Sequence, residues 1–114
     1  IVQVILLQVN VAREASKSGM SVEEFPDIGD YAKTLPHVRV KGLMCMAPFF
    51  ENPEDARPIF RVAHALYEDM KGYFPDGDIQ YLSMGMTHDF EIALQEGANI
   101  VRVGTAIFGE RVYN

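Results

Sequence analysis

Apolar positions along this chain alternate between two kinds of run. Residues 1–11, IVQVILLQVNV, are almost uniformly apolar, as befits a strand covered on both faces in a parallel sheet. Over 22–35 the spacing changes: Val22, Phe25, Ile28, Ala32 and Leu35 recur with helical period. Ser21 and Glu24 form an S-x-x-E capping box at the start, Pro36 stops the run, and Pro26 and Gly29 weaken its first turns. Residues 38–47 read as a second buried strand, in which Gly42 marks a close approach of backbone or ligand. Asn52-Pro53 is a helix entrance, an N-cap followed by proline. Beyond it Ile59, Val62, Ala63, Leu66, Met70 and Phe74 predict a long amphipathic helix, with Pro58 limiting or kinking its first turn. Pro75-Asp76-Gly77-Asp78 is turn chemistry.

The remaining stretch, LSMGMTHDFEIALQEGANIVRVGTAIFGER over 82–111, organises the rest. Residues 81–83 end a strand, Gly85 permits a tight turn, and Thr87 stands at a helix N-cap position with Asp89 and Glu91 in the first turn. Gly97 closes that helix where a left-handed residue is wanted, and a strand over 100–103 runs into Gly104-Thr105. Neighbouring parallel strands thus bring Thr87 and Thr105, with free backbone N–H groups, to one end of a sheet, which is an anion cradle. A threonine cap and a glycine cap are by themselves ordinary. Arg102 is less ordinary: alternation sends it off the opposite face from Val101 and Val103, into a layer where a charge needs a partner. A carboxylate such as Asp89 or Glu91 is one candidate, and a bound ligand is the other.

Strand–helix alternation with connections of this length implies parallel strands, crossover helices and an α/β layer fold. The length of 114 residues fits a single domain, and 48% hydrophobic residues exclude a disordered chain. A net charge of −6 argues against a nucleic-acid surface, and no apolar run reaches bilayer-spanning length. The single cysteine, Cys45, excludes an internal disulfide, suits the cytoplasm, and reads as a buried thiol rather than a nucleophile. Met44 and Met46 read as core. His37, His64 and His88 show no metal-ligand spacing; His88, beside Thr87, reads as an exposed residue at a helix start, with an approach to a bound phosphate as the alternative. No nucleophile elbow or Walker-type loop occurs.

The strings LSMGMT and VRVGTAIFGER, in order and separated by one helix and one strand, resemble the two signature segments of the pyridoxal phosphate homeostasis family, the YggS-like or PROSC-like proteins. LLQVNVAREASKSGM and VKGLMCMAP fit the same pattern, so the resemblance covers essentially the whole chain. It implies the C-terminal half of a TIM-type (β/α)8 barrel similar to the N-terminal domain of alanine racemase, with about four parallel strands and three to four helices. Residues 1–114 are then one partial domain. The chain opens inside an apolar strand without an initiator methionine, which agrees with a fragment whose N-terminal half barrel lies elsewhere. By the same resemblance, Thr87, usually serine in the family, caps the phosphate of pyridoxal 5'-phosphate together with Gly104 and Thr105. Arg102 matches the arginine facing the pyridine nitrogen, and Ser83 falls near the site. An arginine cannot give up its proton, so the ring nitrogen stays unprotonated and the ring is a poor electron sink. The covalent lysine belongs to the missing half; Lys17, in a different loop and without cause for a depressed pKa, is not it.

The function so implied is cofactor binding without catalysis in intracellular vitamin B6 homeostasis, with PLP-dependent apoenzymes as partners. A racemase or decarboxylase fragment of related fold is the alternative. In the alanine racemase pattern it needs a second domain supplying a tyrosine, and nothing of that kind follows Asn114. A bare half barrel that pairs with its missing half, or with itself, is a third reading, because open strands must be covered. Two or three charge-assisted hydrogen bonds of about 2 kcal/mol and one helix terminus of about 0.5 kcal/mol sum to roughly 5 kcal/mol before ordering costs. This half alone should therefore bind a phosphate only in about the millimolar range.

Overall fold

The computed structural model describes residues 2–12, 19–74 and 78–102. Four strands, β1 (Gln3–Val9), β2 (Val38–Cys45), β3 (Tyr81–Met86) and β4 (Ile100–Arg102), form one parallel sheet in the order β1-β2-β3-β4. Three helices, α1 (Phe25–Lys33), α2 (Arg57–Tyr73) and α3 (Phe90–Gln95), occupy the crossovers. This is the alternation expected from the sequence, with sequential strands as neighbours throughout.

Register explains the buried layer. Leu7 pairs with Leu43 and Leu43 with Leu82; one step on, Val9 pairs with Cys45 and Cys45 with Met84. All six are at most 8% exposed, and they form one core with Phe25, Phe60, Ala63, Met70, Ile92 and Ala93 from the helices. Burying a side chain of this size stabilises by about 1.5–3 kcal/mol. The opposite row, Gln8, Met44 and Ser83, alternates away from these residues and belongs to the other face of the sheet. A register shift between Ile5 and Leu6 leaves Lys41 as the extra residue on β2. Without that shift, Val40 and Leu43 could not both join the core.

Several local expectations need correction. The capping box at Ser21 is present, with both backbone–side-chain bonds formed at 2.8 and 3.2 Å, but it opens a 3-10 turn, Val22–Glu24, and the α-helix begins at Phe25. Pro26 therefore occupies a first-turn position that needs no N–H donor. Asn52 likewise caps a 3-10 turn, Pro53–Ala56, and Pro58 lies in the first turn of a continuous α2. The buried stripe of α2 includes Phe60, fully buried, whereas Val62 is 42% exposed; Ile28 of α1 is also exposed. The close approach marked by Gly42 is backbone: a Cβ there would lie 2.0 Å from the Tyr81 carbonyl oxygen.

Gly97 does close α3. At φ +107° it takes the left-handed position, its N–H donates to Leu94 O at 3.1 Å and that of Ala98 donates to Ala93 O at 3.0 Å, a Schellman ending. Just after it, the Asn99 side chain acts as a piece of strand. Its Oδ1 accepts from Leu82 N and its Nδ2 donates to Gln80 O, both at 2.8 Å. The carboxamide thereby pairs β3 before β4 has begun.

Candidate functional site

The strands β3 and β4 bring three of the expected site residues, Ser83, Thr87 and Arg102, toward one end of the sheet. Gly85 does not make the turn anticipated there. It lies inside β3 at φ +102°, where three steps of β3, Ser83 to Met86, match two of β4, Ile100 to Arg102. That bulge needs glycine, since a Cβ would sit 2.6 Å from the Ala93 Cβ. Its consequence is to bring Met86, one residue before Thr87, level with Arg102.

Nor is Thr87 a helix N-cap. Asp89 holds that position in α3, and its carboxylate turns back to accept from Met86 N at 2.8 Å, while Asp89 N donates to Met86 O at 3.0 Å. Asp89 is only 9% exposed, and this reciprocal pair folds Met86 to Asp89 into a closed turn ahead of the helix. An ionised carboxylate bonds a backbone N–H more strongly than a hydroxyl does, which is why Asp89 and not Thr87 governs the entry. Thr87 is exposed on that turn, and among the described residues its hydroxyl makes no hydrogen bond.

Arg102 occupies the face opposite the helices. Its Nη1 lies 3.3 Å from Ser83 Oγ and 3.3 Å from Met44 Sδ, so it donates to a hydroxyl and a thioether and not to Asp89 or Glu91. Ser83 is 3% exposed. Arg102 Nη2 is buried and has no hydrogen-bond partner among the described residues. A buried guanidinium N–H without an acceptor costs about 1–3 kcal/mol or more. Met44, expected in the core, is half-buried and lies against this arginine. Of the other anticipated site residues, Gly104 and Thr105 lie outside the described residues, as does Lys17.

Next to the turn, two features went unread in the sequence. His88 Nε2 is 2.6 Å from the Phe50 carbonyl oxygen, and its ring lies 4.3 Å from that of Phe49. A cavity of about 280 Å³ separates the 46–49 loop from the 86–89 turn. Cys45, as expected, is buried, and its thiol is pushed up to about 12, chiefly by that burial, partly opposed by a hydrogen bond to the Val11 backbone and reinforced by the nearby Asp89 charge. On the outer rim, Arg57 Nη1 pairs with Glu96 at 2.6 Å and Arg57 Nε with Glu54 at 2.8 Å, and its guanidinium holds both carboxyls below the usual range. Glu96 is thus committed to joining α3 to α2, and Glu54 to bracing the 3-10 turn ahead of α2. Among the described residues no cluster of His, Cys, Asp or Glu is arranged to hold a metal, and no helix is long and apolar enough to cross a membrane.

The model of the alanine racemase N-terminal domain matches residues 2–112. This chain belongs to that family. Among curated relatives, the pyridoxal phosphate homeostasis protein of Aquifex aeolicus is 47% identical over 113 residues, which is 99% of this chain and 49% of the relative. The chain thus spans about half the length of the curated relatives it matches. PipY of Synechococcus elongatus, solved without PLP, superimposes with a TM-score of 0.84 at 29% identity, over 95% of this chain and 50% of PipY. PipY solved with PLP bound gives 0.68 at 28% identity, over 94% of this chain and 50% of PipY. The signature strings, the family model and the PipY superposition agree on the pyridoxal phosphate homeostasis branch of the family, and the four parallel strands with their helices are part of an alanine racemase-like TIM-type barrel.

Proposed function

We propose that this chain is the C-terminal half of a pyridoxal 5'-phosphate-binding barrel and supplies the groups that contact the pyridine ring and the phosphate, in a protein of intracellular vitamin B6 homeostasis. The observation that carries the reading is the buried, unpartnered Nη2 of Arg102. Its partner must be an acceptor, and the neutral nitrogen of a pyridine ring fits that requirement without adding a second charge. Ser83 holds the guanidinium in place from below. Thr87, one residue beyond the position level with Arg102, supplies a free hydroxyl on a closed turn; Gly104 and Thr105 complete the phosphate contacts.

Pyridoxal phosphate, when bound, supplies an aldehyde that captures amines and a ring that can draw electrons from them. Arg102 works against the second property. A guanidinium keeps its own proton at any accessible pH and donates a hydrogen bond without transferring it, so the ring nitrogen stays unprotonated. The site holds the cofactor and does not drive chemistry on it, which favours storage or delivery to apoenzymes in the cytoplasm over catalysis. The lysine that bonds the aldehyde lies in the N-terminal half. Val4, Tyr81, Met86 and Ile100, each between 37% and 50% exposed on the strands, are the surface that this other half, or a second copy, covers.

Titrating the chain with pyridoxal phosphate and with pyridoxal tests the reading. The phosphorylated form should bind at least tenfold more tightly, Thr87→Val should remove that difference, and borohydride should trap no label on Lys17. Equal binding of the two ligands would sink the phosphate assignment, and label on Lys17 would sink the placement of the lysine.

A further inference from the structure

The turn that carries Thr87 is anchored at two points. Behind Thr87, Asp89 closes the turn on Met86 through both its carboxylate and its N–H. On the other side the anchor belongs to a different loop. His88 Nε2 stands 2.6 Å from the Phe50 carbonyl, a short hydrogen bond in which the imidazole is the donor, since the carbonyl can only accept. The His88 ring also lies over Phe49, 4.3 Å between centroids and 31° between planes. Phe49 is 75% exposed, so its position is set by the imidazole rather than by burial in the core. Thirty-eight residues separate His88 from Phe50, and the contact spans the ends of β2 and β3.

We infer that His88 is a positioning residue for the phosphate-binding turn. It latches the turn to the 49–50 loop and so fixes Thr87, which among the described residues has no hydrogen bond of its own. A group bound by one hydroxyl and a few backbone N–H donors depends on those donors being held in place before it arrives, because each loosely held donor must be ordered on binding. His88 meets no phosphate in this role. The donor N–H is what acts, and the Phe49 ring lies against the imidazole that carries it. This inference rests on the phosphate reading for Thr87 proposed above.

The test is an amide-resolved NMR titration of the full 114-residue chain with inorganic phosphate and with pyridoxal phosphate. Parent, His88→Ala, His88→Gln, His88→Phe and Thr87→Val are compared, with amides of α2 reporting that each variant is folded. In the free protein, His88→Ala and His88→Phe should lower hydrogen-exchange protection of the Met86 and Asp89 amides, the bonded N–H groups of the turn, at least fivefold and leave α2 unchanged. Phosphate and pyridoxal phosphate should bind His88→Ala at least fivefold more weakly than the parent. His88→Gln, which keeps an N–H donor of similar reach, should bind within about twofold of the parent, whereas His88→Phe, which keeps only the ring, should not. A merely space-filling role would give the opposite order for the last two. If His88→Ala binds like the parent while Thr87→Val loses binding, the phosphate reading stands and the latch falls. If Thr87→Val binds like the parent, or the parent shows no saturable shift near Thr87, the phosphate reading falls and the latch with it.

Discussion

Removing the Arg102 side chain should make the fold more stable, provided that the hydroxyl it bonds, that of Ser83, is removed with it. Arg102 Nη2 is buried without a hydrogen bond among the described residues, and Nη1 makes only two long contacts, at 3.3 Å, to Ser83 Oγ and Met44 Sδ. Replacing the guanidinium by a thioether in Arg102→Met recovers the about 1–3 kcal/mol lost to the unmet donor, but leaves the Ser83 hydroxyl, only 3% exposed, without its partner at a comparable penalty. The single substitution should therefore lie within about 1 kcal/mol of the parent. Ser83→Ala leaves Nη1 with only the Met44 thioether, a weak acceptor, and should destabilise by about 1–2 kcal/mol. The pair Ser83→Ala with Arg102→Met removes both liabilities and should stabilise by about 1–3 kcal/mol, or roughly 4–8 °C in Tm per kcal/mol for a domain of this size. Urea and thermal unfolding of the parent, both single variants and the double variant close the cycle. A double variant less stable than the parent by 1 kcal/mol or more would show that Arg102 is structurally satisfied, and its role as a donor waiting for a ligand would be refuted.

Three further outcomes test other parts of the structure. Asn99→Ala deprives the buried Leu82 N–H of its acceptor and should destabilise by about 1–3 kcal/mol in urea unfolding, with hydrogen exchange faster first at Leu82; an effect under 0.5 kcal/mol would mean that water replaces the carboxamide. Gly85→Ala combines a strained positive φ of +102° with a clash at 2.6 Å against Ala93, and should destabilise by roughly 2–4 kcal/mol by the same assay. The Cys45 thiol, raised from 9.0 to about 12 by burial, keeps its proton longer in the fold than in the unfolded chain. Stability should then be insensitive to this group below pH 9 and fall as pH rises from about 9 toward 12, the slope vanishing in Cys45→Ala, with no alkylation of the native thiol at pH 8.

The sequence carried the architecture in its runs of apolar residues: the block around Leu43 and Cys45 could only be a strand covered by helices, and Gly97 ended its helix where it was expected to, whereas α1 stops at Lys33, short of the Leu35 end drawn from Pro36. Boundaries were less legible, because Thr87 and Asp89 are both capping residue types and only the folded turn decides between them. Gly85 illustrates the same limit, since a glycine near a strand end serves a turn or a bulge equally well until its partner strand is in place. In α2 the helical count drawn through Ile59 and Val62 missed Phe60 by one step, a rotation that the adjacent strands determine. The site was legible in part. Alternation put Arg102 on the opposite face from its neighbours, but its contact with Met44, 58 residues away, had no local signal. The His88–Phe50 bond and the Asn99 splice are likewise products of tertiary assembly.

The protonation state of the ligand ring is the most direct readout of what Arg102 does. With pyridoxal phosphate carrying a nitrogen-15 ring atom and the chain in excess, the ring nitrogen should show the chemical shift of an unprotonated, hydrogen-bonded pyridine between pH 6 and 8, and that shift should move when Arg102 is replaced by methionine. A pyridinium shift over that range, or a signal indifferent to Arg102→Met, would contradict the assignment of this guanidinium as the group that holds the ring.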